Sequence, residues 1–419
     1  MKRQHFFLFP LSLGLLTSFA GPTVTSFTQD PDSLQVTVEY TLDAPAIVTA
    51  DFQKKIGGSF ESIGEKRFAN LAGDVNRFIE TTGAHRFFWT PDENDRSGET
   101  VSAANFQVVL SAWAKDDPPD YMAVNLSVSN SVFYYVSSNA VPGGVADRLY
   151  KTEFLLMRRI PAKGVTWKMG SPESDGLRKD GSETLHEVTL TEDYWMGVYE
   201  FTQAQYSHLY AGFGNGFTQF DESMLIPVSG TAYYSIRGDL GQANWPSQLH
   251  KVGGYLAKLR KRTGVEFDLP TEAQWEYACR AGTGTQWNIP SLSSAEVTDA
   301  NNKLAKHAIM SYNNNPCSKE TTSCGPVGLY APNAFGLYDM HGNVLEWCLD
   351  YYQDDLGRDP AEDPKGPTSA SASARVARGG GYTSSADICR SAARTKSTEL
   401  SGANTYFGFR VVAPLGLKW

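Results

Sequence analysis

The feature that most limits how this chain can fold is a change of hydrophobic rhythm near residue 140. Upstream of it, apolar and polar residues alternate in short runs. Residues 34–42, Leu-Gln-Val-Thr-Val-Glu-Tyr-Thr-Leu, carry the period of two that sets one face of a strand against a core. Segments 46–52, 87–91, 104–114 and 130–136 repeat the pattern, separated by Gly, Pro, Asp and Asn. Short strands between turn-forming residues predict an all-β sandwich domain over 21–140. No side chain in that stretch suggests chemistry, so its expected role is that of a spacer or binding module.

Small and turn-forming residues at 137–144, Ser-Ser-Asn-Ala-Val-Pro-Gly-Gly, predict a linker, placed at 141–151. From 152 to 415 the pattern becomes mixed α and β with long loops. Ser247 stands where it can cap a helix in which Leu249, Val252, Leu256 and Leu259 recur at helical spacing. A second helix is predicted from Thr271 to about Arg280, because Thr271 can cap it and Gln274, three positions on, completes a capping box. The segment 360–374, rich in Pro, Ala, Ser and Asp, reads as an exposed loop. With 38 Gly, 9 Trp, 20 Tyr and 22 Phe, the chain is equipped to pin irregular backbone with aromatic rings.

Lys2 and Arg3 precede an apolar run from Phe6 to Leu16, and Ser18 and Ala20 put small residues where a leader cleavage after Ala20 needs them. A signal peptide over 1–20 is the expectation and an uncleaved anchor the alternative. No later stretch approaches the roughly 18 apolar residues of a membrane span. The mature chain is therefore expected to be secreted, periplasmic or otherwise extracytoplasmic, without stable membrane insertion. Its net charge of −9 becomes −11 once Lys2 and Arg3 are lost, which disfavours nucleic acid or anionic lipid as a partner. The five cysteines, Cys279, Cys317, Cys324, Cys348 and Cys389, all lie in the C-terminal part. An odd number leaves a thiol unpaired or paired between chains, and Cys317 and Cys324 are close enough in sequence to staple a local loop.

Four segments carry a resemblance. The first is Trp167-Lys-Met-Gly-Ser-Pro-Glu-Ser with His186-Glu-Val-Thr-Leu and Val198-Tyr-Glu-Phe-Thr-Gln-Ala-Gln-Tyr. The second is Leu269-Pro-Thr-Glu-Ala-Gln-Trp-Glu-Tyr-Ala-Cys-Arg-Ala-Gly-Thr. The third is Asn333-Ala-Phe-Gly-Leu-Tyr-Asp-Met-His-Gly-Asn-Val-Leu-Glu-Trp. The fourth is Val376-Ala-Arg-Gly-Gly-Gly-Tyr, followed by Cys389-Arg-Ser-Ala-Ala-Arg and Phe407-Gly-Phe-Arg-Val-Val. In this order they resemble the formylglycine-generating enzymes, or sulfatase-modifying factors. The resemblance implies an α+β fold in which an irregular C-type-lectin-like domain at 152–415, with bound calcium, follows the all-β sandwich. That sandwich is similar in pattern to an immunoglobulin or fibronectin type III module.

Calcium takes roughly six to eight oxygens from carboxylates, carbonyls and water. Asp339, Gly342, Val344 and Glu346 resemble one calcium site of the family, with two carboxylates flanking two carbonyls. The alternative is that Asp339 and Glu346 only hydrogen-bond a turn. Asn301, with 313–315, would furnish a second calcium site.

The family's enzymes use copper(I) and oxygen to oxidise a cysteine of an unfolded sulfatase segment to formylglycine, and soft thiolates suit Cu(I). Counted from Arg378, the resemblance places one thiol position on Ser384 and the other on Cys389. A hydroxyl is a hard ligand and does not replace a thiolate. Gly381 also stands where the family motif has Ser, and Leu345 where it has Trp, so copper is not expected. Cys389 reads as a free thiol, as a buried apolar cysteine or as half of a disulfide with Cys348. His341 reads as structural or as a pocket side chain. The seven histidines lack any recurrent metal spacing, and Gly379-Gly380-Gly381 lacks the following Lys-Ser or Lys-Thr of a phosphate loop. The function expected is recognition of a protein or glycan ligand by a calcium-stabilised domain without copper oxidase activity. The alternative is a formylglycine-generating oxidase acting on a protein cysteine.

Overall fold

A computed structural model describes residues 21–63, 71–90, 102, 104–179, 181–209, 222–237, 254–289, 292, 299–311, 324–367, 374–398, 400 and 405–416. One compact unit ends at Trp113 and a second begins at Ala114.

The first unit contains β1 (Thr23–Gln29), β2 (Val36–Leu42), β3 (Ala46–Ile56), β4 (Ser59–Ser62), β5 (Leu71–Gly73), β6 (Arg77–Ile79), β7 (Gly83–Trp89) and β8 (Phe106–Trp113). One sheet has the order β1-β2-β7-β5; in the other, β3 pairs with β4, β6 and β8. β2 shows why these residues make strands. Val36, Val38, Tyr40 and Leu42 are buried, whereas Thr37, Glu39 and Thr41 between them are not. Phe52 of one sheet meets Trp89 of the other at 4.7 Å between ring centroids, within a single apolar cluster. The strands expected at 34–42, 46–52, 87–91 and 104–114 are all present in this sandwich.

The second unit contains β9 (Tyr121–Asn125), β10 (Val132–Tyr135), β11 (Phe154–Ile160), β12 (Val165–Met169), β13 (His186–Leu190) and β14 (Tyr194–Gly197). It continues with β15 (Leu345–Tyr351), β16 (Ala361–Glu362), β17 (Arg375–Arg378), β18 (Thr395–Ser397), β19 (Phe407–Gly408) and β20 (Val412–Pro414). They form three sheets, ordered β10-β9-β11-β14-β20, β12-β13-β16 and β18-β17-β15-β19. Among the described residues the helices are α1 (Gln203–Ser207), α2 (Tyr233–Arg237), α3 (Tyr255–Thr263), α4 (Glu272–Arg280) and α5 (Ala300–Leu304).

Helix α4 starts where the capping box predicts. Thr271 Oγ accepts the Gln274 N–H at 3.2 Å, and Gln274 Oε1 accepts the Thr271 N–H at 2.9 Å. Every residue of α4 is buried, and it packs on β12, β15 and β17. Aromatic pairs such as Trp347 and Phe407, stacked at 4.4 Å, clamp the irregular segments.

Three expectations are corrected. The strand read at 130–136 is β10, which pairs with β9, itself paired with β11; the sandwich therefore ends at Trp113 and not at 140. Residues 141–151 are not a linker. Val141 and Tyr150 are buried with Tyr121 and Tyr199 in one cluster, and Asp147 caps a 3-10 turn at Arg148–Lys151. The Pro-Gly-Gly turn there reverses the chain between core residues and does not release it. The segment 360–374 is not wholly a loop either, because β16 pairs in parallel with β13.

Helix α3 begins at Tyr255 after Gly254, with Leu256 and Leu259 buried as its spacing requires. The expected cap Ser247, Leu249 and Val252 lie outside the described residues. So do the leader at 1–20, the 313–315 stretch and Cys317.

Candidate functional site

Strand β17 delivers Arg378 into the three-glycine turn. Gly379 and Gly380 have φ of +90° and +71°, which side chains rarely tolerate. A Cβ on Gly380 would fall 2.5 Å from the Cys389 Sγ, and one on Gly379 3.2 Å from the Trp275 ring. The backbone here is a wall laid directly against the thiol. Gly381 differs, since a Cβ there would meet nothing closer than 3.4 Å. Packing does not demand the missing hydroxyl at 381.

Ser384 closes the turn. Its Oγ accepts the Gly381 N–H at 3.0 Å, and its own N–H donates to the Gly381 carbonyl at 2.8 Å. Its carbonyl accepts from the backbone N–H and hydroxyl of Ser311. This hydroxyl is a turn-former committed to a backbone donor. Cys389 is fully buried in an apolar cluster with Trp287, Leu304, Ala308 and Met310. Burial there pushes its thiol pKa up, with the Asp387 charge adding to the effect. Copper(I) asks for thiolates, and this environment opposes forming one. The arrangement does not fit the copper that the family implies.

The four described cysteines, Cys279, Cys324, Cys348 and Cys389, are free and buried. Of the readings of Cys389, the disulfide with Cys348 is thereby excluded, and the thiol is a free, buried apolar cysteine. Cys324 is likewise a free, buried thiol, and its expected partner Cys317 lies outside the described residues. His341 is structural. Its Nδ1 lies 2.7 Å from the Cys389 carbonyl, which only accepts, so Nδ1 carries the proton and Nε2 accepts the Asn288 N–H at 3.2 Å. Burial lowers its pKa to about 4 and keeps the ring neutral.

Behind the turn lies a network of ion pairs. Arg378 Nη2 donates to Glu276 Oε2 at 2.8 Å and also pairs with Glu272 at 2.8 Å; its Nη1 donates to the Ser391 and Ala393 carbonyls. Arg394 forks onto Glu272 at 2.6 and 2.9 Å, and Arg390 onto Glu183 at 2.7 and 2.8 Å. Burial alone would raise the pKa of Glu272 and Glu276, but the guanidiniums outweigh it and hold both below the ordinary value. Sequence reasoning missed this network, although each member sits inside one of the four family segments or within a few residues of one.

The expected calcium residues are placed as follows. Glu346 has both oxygens engaged: Arg410 Nε and Nη2 donate at 2.7 and 2.6 Å, and Trp275 Nε1 donates at 2.7 Å. Asp339 accepts the Gly328 N–H at 2.6 Å, and burial raises its pKa to about 6. The N–H of Gly342 donates to Gly379, and that of Val344 to Glu200 Oε1. Asn301 Oδ1 accepts the Ala386 N–H at 2.8 Å, which ties α5 to the Cys389 segment. A carboxylate already bridged by a guanidinium is a poor calcium ligand. Among the described residues no three His, Cys, Asp or Glu side chains gather as a metal-binding group. Of the four expected calcium residues, Glu346 is held by Arg410 and Trp275 and Asp339 by the Gly328 N–H, so both carboxylates already have partners within the chain. Glu200, missed in the sequence, completes the acidic neighbourhood: burial, then Asp339 and Glu346, raise its pKa well above the ordinary value.

The Gly-rich turn and the buried arginine network lie inside the stretch that matches a known family. Residues 159–415 match the model of the sulfatase-modifying factor enzyme 1-like domain, and the chain belongs to this family. It is 27% identical over 292 residues to the formylglycine-generating enzyme of Mus musculus, covering 62% of this chain and 75% of the relative. The formylglycine-generating enzyme of Thermomonospora curvata is 35% identical over 159 residues, 35% of this chain and 48% of the relative. Among solved structures, PvdO from Pseudomonas aeruginosa is similar, with a TM-score of 0.49 and 24% identity over 62% of this chain and 94% of that one. Among the described residues no helix is long and apolar enough to cross a membrane.

Proposed function

We propose that this chain is an exported binding protein that keeps the frame of the sulfatase-modifying family without copper oxidase chemistry, and that it recognises a protein or glycan ligand through loops on that frame. The observation that carries this reading is the state of the two thiol positions. Ser384 spends its hydroxyl on the Gly381 N–H, and Cys389 is a lone thiol sealed in an apolar cluster. A rigid frame presenting loops is a physical route to recognition. Calcium enters as a quantity to be measured, because Glu346 is already given to Arg410. The export half rests on Lys2, Arg3 and the apolar run after them; a mature N-terminus other than Gly21, or retention in the cytoplasm, would count against it.

The second reading, an oxidase acting on a protein cysteine, draws support from the names of the mouse and Thermomonospora curvata relatives. Copper(I) titration of the full chain, run beside an assay for aldehyde formation in a Cys-x-Pro-x-Arg peptide, separates the two. Our reading expects neither tight stoichiometric copper nor aldehyde. Both together would replace it with the oxidase. Ser384→Cys is expected to raise copper(I) affinity by supplying the second thiol, and an unchanged affinity would show that Ser384 is not the replaced position.

A further inference from the structure

One outer face of the N-terminal sandwich is built from side chains of β3, β4 and β8. Because side chains alternate along a strand, Asp51, Gln53 and Lys55 of β3 point away from the core that buries Phe52. In register with them stand Phe60 and Ser62 of β4 on one side and Gln107 and Val109 of β8 on the other. Val108 and Leu110, on the opposite face of β8, pack against the apolar cluster.

The polar side chains of this face are joined in a row that crosses all three strands. Gln107 Nε2 donates to Gln53 Oε1 at 2.6 Å, and Gln53 Nε2 donates to Asp51 Oδ2 at 2.8 Å. Ser62 Oγ donates to the other Asp51 oxygen at 2.6 Å. A sheet gains less from such cross-strand pairs than it loses by holding long glutamine side chains still where water could serve them instead. Sheet stability therefore does not account for the row. A ligand does, because donors and acceptors fixed in advance lower the ordering cost of binding. Gln107 Oε1 and one N–H of each glutamine have no partner among the described residues, and each Asp51 oxygen has a lone pair to spare.

The charge and the neighbours of the row narrow what it can hold. The face carries one carboxylate, Asp51, and one ammonium, Lys55, so it favours neither an anion nor a cation. A peptide strand cannot add to β3 here, because its backbone is already paired with β4 and β8. Val109, directly opposite Asp51, is 42% exposed. The half-buried Phe60 ring lies across from Lys55, whose Nζ is 5.9 Å from the ring centroid. Apolar carbon beside fixed donors and acceptors suits a molecule with C–H faces and a rim of hydroxyls. From Gln107 to Ser111 the strip runs roughly 14 Å, at about 3.4 Å per residue, which accommodates more than a single sugar ring.

We propose that this face binds an uncharged oligosaccharide, with Gln107, Gln53 and Asp51 hydrogen-bonding its hydroxyls and Val109 and Phe60 meeting its C–H faces. The site is separate from the loops of the C-terminal frame and does not depend on them.

The test is calorimetric titration of the full chain with cellohexaose, mannohexaose and chitohexaose, and with a heparin hexasaccharide as the charged comparison. Saturable binding of at least one neutral hexasaccharide, and none of heparin, is expected. Asp51→Ala should weaken it at least tenfold, and Gln53→Ala and Gln107→Ala about fivefold each, with thermal melts kept because all three side chains lie on the surface. Thr37→Ala, on the other sheet, should leave the affinity unchanged. Saturation with none of the neutral sugars, or preference for heparin, would overturn the proposal. Binding that survives all three substitutions would also overturn it and would move glycan recognition to the C-terminal frame.

Discussion

Among the described residues of the N-terminal unit, Thr49 is the one buried polar side chain, whereas the C-terminal unit buries seven arginines (237, 280, 375, 378, 390, 394 and 410) with Glu183, Glu200, Asp268, Glu272, Glu276, Glu346 and Asp350. The first core is held mainly by apolar area, with few side-chain hydrogen bonds such as Trp113 to Thr49. The second adds matched buried charges to its apolar clusters. Removing one member leaves its partner charged and dry, at a cost of about 3–5 kcal/mol, whereas replacing both with apolar residues is often neutral. The N-terminal unit should therefore tolerate single conservative changes and the C-terminal unit only paired ones.

The comparison breaks most clearly at Arg410. Arg410→Met strips Glu346 of its fork and leaves Glu200 and Asp339 without the nearest positive charge, and it should cost about 3–5 kcal/mol in urea unfolding. Adding Glu346→Gln should recover more than half of that. Phe87→Ala in the sandwich should cost a similar 3–5 kcal/mol, with no second-site change of charge able to rescue it. Recovery in the sandwich, or its failure at Arg410, would erase the contrast.

A smaller effect separates the units by pH. Burial, then the neighbouring Glu272, raises the Asp350 pKa to about 7 from an unfolded value of 3.8. Between those values the folded state holds the extra proton, so this group's stabilisation is full below the unfolded pKa and is lost as pH rises through 7. Asp339, raised to about 6, acts in the same sense. Asp350→Asn should flatten the slope, raising stability at pH 8 by roughly 3 kcal/mol and leaving it nearly unchanged at pH 4. Thermal melts at the two pH values read this directly, and equal gains at both would assign the effect to packing.

Ser384→Cys should cost about 1 kcal/mol, the worth of its bond to the Gly381 N–H. A loss well above that would mean the turn depends on more than this bond. Smallest of all is calcium. With Glu346 neutralised by Arg410, adding calcium after EDTA should leave the melting temperature within about 1 °C. A rise of several degrees would mean that calcium outcompetes the guanidinium.

Much of the architecture was legible because its signals are local. The capping box of α4 spans four residues, and the alternation in β2 spans seven. Arg378, Ser384 and Cys389 were placed by the family resemblance. The partners that decide their chemistry were not, because Glu276 lies 102 positions from Arg378 and Glu183 lies 207 from Arg390. No periodicity encodes such pairs. The error at 141–151 has another cause. Gly and Pro signal a turn without saying whether the chain after it returns to the same core, and Val141 and Tyr150 do return.

The backbone wall at Gly380 has a kinetic consequence. A thiol covered by main chain reacts with an alkylating reagent only after that main chain lifts. Every cysteine of the chain lies at or beyond residue 279, so the sandwich is silent to such reagents. With Cys317 replaced by serine, the labelling rate of Cys279, Cys324, Cys348 and Cys389 becomes a clock for transient opening of the C-terminal unit alone, readable while the whole protein remains folded.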